Sequence, residues 1–185
     1  MKNIFRYGRH FLAAKGRHGT HSPFVYAFVE QVLRNKSRFY YKGTSTHFTG
    51  REAMLLARII RYLQPAAIAV DIDYKADVEQ VAAIALSGDI PVMPFDDTID
   101  RNAVTGKLLI LSAGNEEAFK NKISAALAFP ETYALIVAPH KEEASEAVWN
   151  TLCALHEVQL RLDLWHFGLL VHDPVFKASQ HFRLR

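Results

Sequence analysis

Histidines and acidic residues carry whatever chemistry this 185-residue chain offers, and three of them, His140, Asp71 and Asp73, stand at the ends of apolar runs. His140 follows Tyr133-Ala134-Leu135-Ile136-Val137-Ala138 and Pro139, so it stands at the carboxyl end of a buried strand. An imidazole titrates near neutrality, which makes His140 the best-placed general base; the alternative is a loop histidine before a helix. Asp71 and Asp73 end a second apolar run, Ala67-Ile68-Ala69-Val70-Asp71-Ile72-Asp73. In wound α/β sheets the turn after the first strand holds a nucleotide-type cofactor, and glycines let the ligand approach the backbone. Here that turn, Asp73-Tyr74-Lys75-Ala76-Asp77, has no glycine.

His18 and His21 lie on a glycine-containing loop, Gly16 to Pro23, without a third ligand nearby in sequence, so they are expected to order the turn and no metal site is expected. Asp163, His166, His172 and Asp173 fall on an alternating strand and its turn, where they read as solvent-facing polar residues. A phosphate loop, a nucleophile elbow and a His-Glu-x-x-His zinc motif are all missing, which removes support for phosphotransfer, serine hydrolysis and zinc proteolysis. The one cysteine, Cys153, cannot form an internal disulfide and reads as a buried, inert thiol.

The elements that must position these residues follow from periodicity. A basic amphipathic helix is expected over about 2–14, either capping the domain or lying on a partner or membrane surface. Ser22-Pro23 starts a second helix, whose Phe24, Val25, Phe28, Val29, Val32 and Leu33 face a core. Residues 37–47 read as an aromatic, basic loop. Thr49 and Glu52 have capping-box spacing ahead of a third helix that stops at Gln64-Pro65. Val78 to Ala85 is a small-residue helix. Ile90 to Phe95 is a short strand broken by two prolines, which belongs at an edge or is irregular. Lys107 to Ser112 and Tyr133 to Ala138 are continuous apolar runs, as in parallel strands covered on both faces. A helix capped by Asn115 lies between them, and another runs from Ala144 to Leu155. Val158 to Leu164 alternates as a half-exposed strand, Gly168 to His172 continues it or turns back, and Phe182 to Arg185 is a last strand expected to pair antiparallel with its neighbour.

Half the residues are apolar, enough for one domain with a substantial core. We divide it into a basic helical extension, 1–48, and an α/β unit, 49–185. No apolar run is long enough to cross a membrane and the start does not read as a signal peptide, so a cytoplasmic location is expected. The overall charge of +3 conceals an asymmetry: residues 1–42 hold nine Lys or Arg against Glu30 alone, +8, leaving −5 for the remainder. Such a layer either packs on the protein's own acidic body or meets an acidic protein surface, anionic lipid or nucleic acid.

Arg17-His18-Gly19-Thr20-His21-Ser22-Pro23-Phe24-Val25-Tyr26, the helix leading into the first strand, and the ending Asp163-Leu164-Trp165-His166-Phe167-Gly168-Leu169-Leu170 with Gln180-His181-Phe182-Arg183-Leu184 resemble a family of class I S-adenosylmethionine (SAM) dependent methyltransferases with a basic His-Ser-Pro-Phe extension. The resemblance implies a Rossmann-like, mostly parallel sheet with an antiparallel C-terminal strand. It implies SAM as cofactor, with Asp71, Asp73, Asp96, Ser112 and Gly114 at the cofactor positions and His140 as base for hydroxyl methylation. This chain departs from the family pattern. Asp73 stands where the first glycine belongs, one strand rather than two precedes Lys107 to Ser112, and Ala138-Pro139-His140 replaces the aspartates of metal-assisted relatives. The reading is thus a shortened, degenerate member acting as a non-catalytic scaffold or interaction protein. The alternatives are an active small-molecule O-methyltransferase, or a nucleic-acid-binding module using the basic layer with Phe39, Tyr40 and Tyr41 for stacking. A homo-oligomer is compatible with each.

Overall fold

A computed structural model describes residues 2–14, 22–35, 45–86, 88–95, 106–112, 123–124, 127, 132–173, 175–176 and 178–184. The expected features at His18, His21, Phe39 to Tyr41, Asp96, Gly114 and Asn115 lie outside these residues.

Helix α1 (Lys2–Ala13) is followed by α2 (Pro23–Phe28), which Ser22 caps by accepting from the Val25 N–H, with Pro23 in the first turn. The helix continues as a π turn over Val29–Leu33, where the Arg34 N–H donates to Val29 O at 2.9 Å. Helix α3 (Gly50–Leu63) opens on the expected capping box. The Glu52 N–H donates to Thr49 Oγ1 at 3.3 Å, and the Thr49 N–H donates back to Glu52 Oε2 at 2.8 Å. Gln64, at φ 46°, ends it in a left-handed turn before Pro65.

Among the described residues the sheet has seven strands in the order β2-β1-β3-β4-β6-β5-β7. These are β1 (Ala67–Val70), β2 (Val92–Pro94), β3 (Lys107–Ser112), β4 (Thr132–Val137), β5 (Leu160–Asp163), β6 (Phe167–His172) and β7 (Gln180–Arg183). All run parallel except β6, which pairs antiparallel with β4 and β5. The order places β2, broken by Pro94, at one edge as its prolines require. The first strand stops at Val70, short of the expected Asp73, because residues 72–74 turn into a short 3₁₀ segment leading to α4 (Lys75–Ala85).

Two expectations about the C-terminal part are corrected. The last strand runs parallel to β5, not antiparallel, and the antiparallel strand is β6. A tight turn at Leu164–His166 reverses the chain into β6, and the following segment returns it to the start of β5. There Gln180 N–H donates to Gln159 O at 2.7 Å, and Leu184 N–H donates to Asp163 O at 2.9 Å. With neighbours on both sides, β5 is buried along its whole length rather than half exposed, including Arg161 and Asp163.

Successive residues along the strands alternate between two cores. Ile68, Val70, Leu108, Ile110 and Leu135 join α2, α3 and α4 on one face. Ala69, Leu109, Leu111, Ala134 and Ile136 meet Val148, Trp149 and Leu152 of α5 (Glu143–Cys153) on the other, with Ile123 and Leu127. The polar residues of β5 are tied in from within. Arg161 Nη2 donates to Leu155 O at 3.0 Å and its Nε donates to Cys153 O, closing carbonyls left open beyond α5. Gly168 of β6 is required by close approach: a Cβ there would lie 2.3 Å from Trp149 Cζ3.

Candidate functional site

The strand order reverses between β1 and β3, whose carboxyl ends form the crevice where open α/β sheets bind ligands. Asp71 and Ser112, two of the expected cofactor residues, meet there. Asp71 Oδ2 accepts from the Ser112 N–H at 2.6 Å and from Ser112 Oγ at 2.8 Å, so the carboxylate caps the end of β3. Asp73, on the 3₁₀ turn, is exposed, and with Asp71 it lies close enough to Tyr74 to add to the burial that raises that phenol's pKa.

The turn after β1 is covered from the side by residues 45–48. The rings of His47 and Phe48 pack on Tyr74 with centroids 4.9 and 5.5 Å away, and Phe48 also meets Phe167 at 6.0 Å. Asp77, buried in the first turn of α4, accepts from His47 Nδ1 at 2.9 Å and from the His47 N–H at 3.1 Å. Burial would push the Asp77 carboxyl up, but hydrogen bonds from residues 45–47 outweigh it and hold its pKa below the usual range. Sequence reading gave Asp77 no role, since its partner lies thirty positions earlier.

A second cluster forms at the carboxyl ends of β4 and β5. Beyond β4 the chain turns through Ala138, at φ 49°, whose N–H donates to His166 O at 2.9 Å. His140 stands in the turn ahead of α5, as one of its two readings has it, but points inward and is 7% exposed. Its Nε2 lies 2.9 Å from both oxygens of Asp163 at the end of β5. Asp163, expected to face solvent, is 1% exposed because α1 closes over it: His10 Nε2 is 3.0 Å from Asp163 Oδ1. Burial works against its charge, yet His10 and His140 hold the carboxyl well below the usual range.

Trp165 completes the cluster. It sits at φ 69°, a left-handed conformation that costs a bulky residue energy and is kept only where the surroundings over-determine it. Its N–H donates to Asp163 Oδ1 at 3.1 Å, and its ring stacks on His140 at 4.9 Å and 15°. Tyr7 of α1 meets the same ring edge-on at 5.3 Å. Outside it, a cleft of about 420 Å³ is bordered by Tyr7, Glu52, Ala138, His140, Trp165 and His166. His166 Nδ1 reaches Glu52 Oε1 at 2.8 Å, joining the β5–β6 turn to the start of α3.

The structure thus keeps the expected residues in two places. Asp71 and Ser112 cap a strand end at the switch point, and His140 belongs to a separate His–Asp–His cluster with α1. Sequence reading found His140 but not its partners, because 130 and 23 positions separate it from His10 and Asp163.

Among the described residues, the switch point departs from the pattern that the SAM resemblance implies. Asp71 Oδ2 is held by Ser112, and the turn carries the side chains of Ile72, Asp73 and Tyr74 where the glycines of that pattern leave bare backbone. No family model, characterised protein or solved structure matches the chain.

Proposed function

We propose that this chain is a methyltransferase-like protein whose cofactor crevice is closed, and that it serves as a non-catalytic scaffold engaging an acidic protein surface through its basic N-terminal layer, residues 1–42. The observation that carries the reading is the Asp71 carboxylate turned onto Ser112 at the reversal of strand order. A mostly parallel sheet with one antiparallel strand near its C-terminal end supports the methyltransferase-like build. The charge asymmetry supports the acidic partner, since a +8 segment on a −5 body creates a field that steers anionic surfaces toward one side. In α1, Arg9, Phe11 and Leu12 are exposed, which leaves both charge and apolar area available to a partner.

Two measurements on the full chain test this. Native mass spectrometry of the protein incubated with SAM is expected to give the mass of the chain alone. Fluorescence anisotropy with a Glu-rich peptide is expected to give saturable binding that weakens with salt and is lost when Arg9, Lys36 and Lys42 are changed to Glu. A retained SAM adduct, or peptide binding indifferent to the three charge reversals, overturns the reading. Tighter binding to single-stranded RNA than to the peptide redirects the basic layer to nucleic acid.

A further inference from the structure

From the cluster under α1 we infer that His10, His140 and Asp163 form a zinc-class metal site that clasps the N-terminal helix to the sheet. The three side chains come from α1, the turn after β4 and the end of β5, all are buried, and their donor atoms lie within 4.8 Å of one another. Two imidazoles and one carboxylate are the donor set of many three-ligand zinc sites, which leave a fourth position for water.

The donors are close enough to share an ion after a small outward shift. Donors on a tetrahedral zinc, each roughly 2.0–2.2 Å from the metal, stand about 3.3 Å apart. Here the histidine-to-carboxylate separations, 2.9 and 3.0 Å, are those of direct hydrogen bonds, so an entering ion replaces these bonds and parts the donors by a few tenths of an ångström. Next to the two histidines is a space of about 30 Å³, bordered also by Arg6, Arg9, Glu146, Trp165 and Arg183 and large enough for a water molecule.

A second, independent observation is the far nitrogen of His140. Its Nδ1 is buried without a hydrogen bond and lies 3.4 Å from Glu146 Oε1, while Nε2 faces Asp163. A neutral imidazole has one N–H, so it serves one of these carboxylates and turns a lone pair on the other. A second ring proton resolves the conflict, and so does a metal ion bound at Nε2. His140 then carries its proton on Nδ1 toward Glu146, the carboxylate–histidine–metal arrangement that fixes a ligating ring. Arg6 of α1 pairs with Glu146, so the same helix that brings His10 also steadies this outer carboxylate. The competing cation is Arg183, whose Nε is 4.0 Å from Asp163 Oδ2 and whose side chain is half exposed.

The inference stands apart from the closed crevice, since neither Asp71 nor Ser112 takes part. Its test is equilibrium dialysis of the full chain against zinc, with metal analysis and thermal melts of each variant. Wild type is expected to hold one zinc per chain and to melt several degrees higher with zinc than with chelator. His10→Ala removes a buried ligand that belongs to neither apolar core; it is expected to stay folded by circular dichroism and lose both effects. Asp163→Asn, which keeps the shape of the side chain, does the same. The double variant His18→Ala, His21→Ala keeps them. The inference is overturned if wild type takes up no zinc, if zinc leaves its melting temperature unchanged, or if zinc follows His18 and His21 instead of His10.

Discussion

Replacing Asp71 by Ala separates a structural carboxylate from a ligand-binding one. In the folded chain Asp71 Oδ2 accepts two hydrogen bonds, 2.6 Å from the Ser112 N–H and 2.8 Å from Ser112 Oγ. Hydrogen bonds to a charged partner contribute about 1.5–3 kcal/mol each when the other group is left unsatisfied. The hydroxyl can rotate to water, but the backbone N–H at the end of β3 is fixed, so the loss centres on that one donor and totals about 2–3 kcal/mol. For a chain of this size that lowers the melting temperature by about 4–12 °C. Asp71→Asn keeps an acceptor oxygen and should lose about half as much. Ser112→Ala should cost about 1 kcal/mol in the wild type and almost nothing in the Asp71→Ala background, because the two changes remove the same bond. Urea denaturation of the four proteins, read by circular dichroism, supplies the cycle. An Asp71→Ala variant as stable as wild type, or additive losses for the pair, would refute a capping role for this carboxylate.

Gly168→Ala should destabilise by about 1–3 kcal/mol or more, measured by the urea midpoint, because the new Cβ meets the Trp149 ring at 2.3 Å and the ring is fully buried. Cys153 should resist alkylation. Burial pushes its thiol up to about 12, with Arg161 offsetting only part, so folded protein should react with iodoacetamide about a thousandfold more slowly than urea-unfolded protein near pH 8. Equal rates would contradict the packing around α5. The depressed Asp77 carboxyl sets an acid limit: the stability it contributes is complete above its ordinary value of about 4 and is lost as pH falls through its lower folded value. Urea midpoints should therefore hold from pH 7 to about 5 and drop below about 4, and the drop should be smaller in Asp77→Asn. An identical acid profile in both proteins would count against the His47–Asp77 contact as its source.

What the sequence made legible was local. Ser22-Pro23, Thr49 with Glu52, the edge strand with its two prolines, and the two apolar central strands each announce themselves within a few residues, through capping chemistry or period. The C-terminal part failed where pairing decides the outcome. The alternation in Val158 to Leu164 has the period of a half-exposed strand, but β7 covers the open edge and internal partners absorb Arg161 and Asp163. Alternation gives two faces and cannot tell whether the second is wet. The His10–Asp163–His140 cluster was beyond reach for a related reason. Its members come from three elements, and only the closing of α1 over the end of β5 brings them together. Glycine-free chemistry after β1 was visible from the start. What the structure adds is the use made of Asp71, which is turned toward β3.

Isothermal titration of the full chain with SAM tests the closed crevice most directly. The account predicts no saturable heat, corresponding to a Kd of about 1 mM or weaker, in wild type. One-to-one binding tighter than about 10 µM, weakened by Asp71→Ala, would contradict it and return the end of β1 to cofactor chemistry.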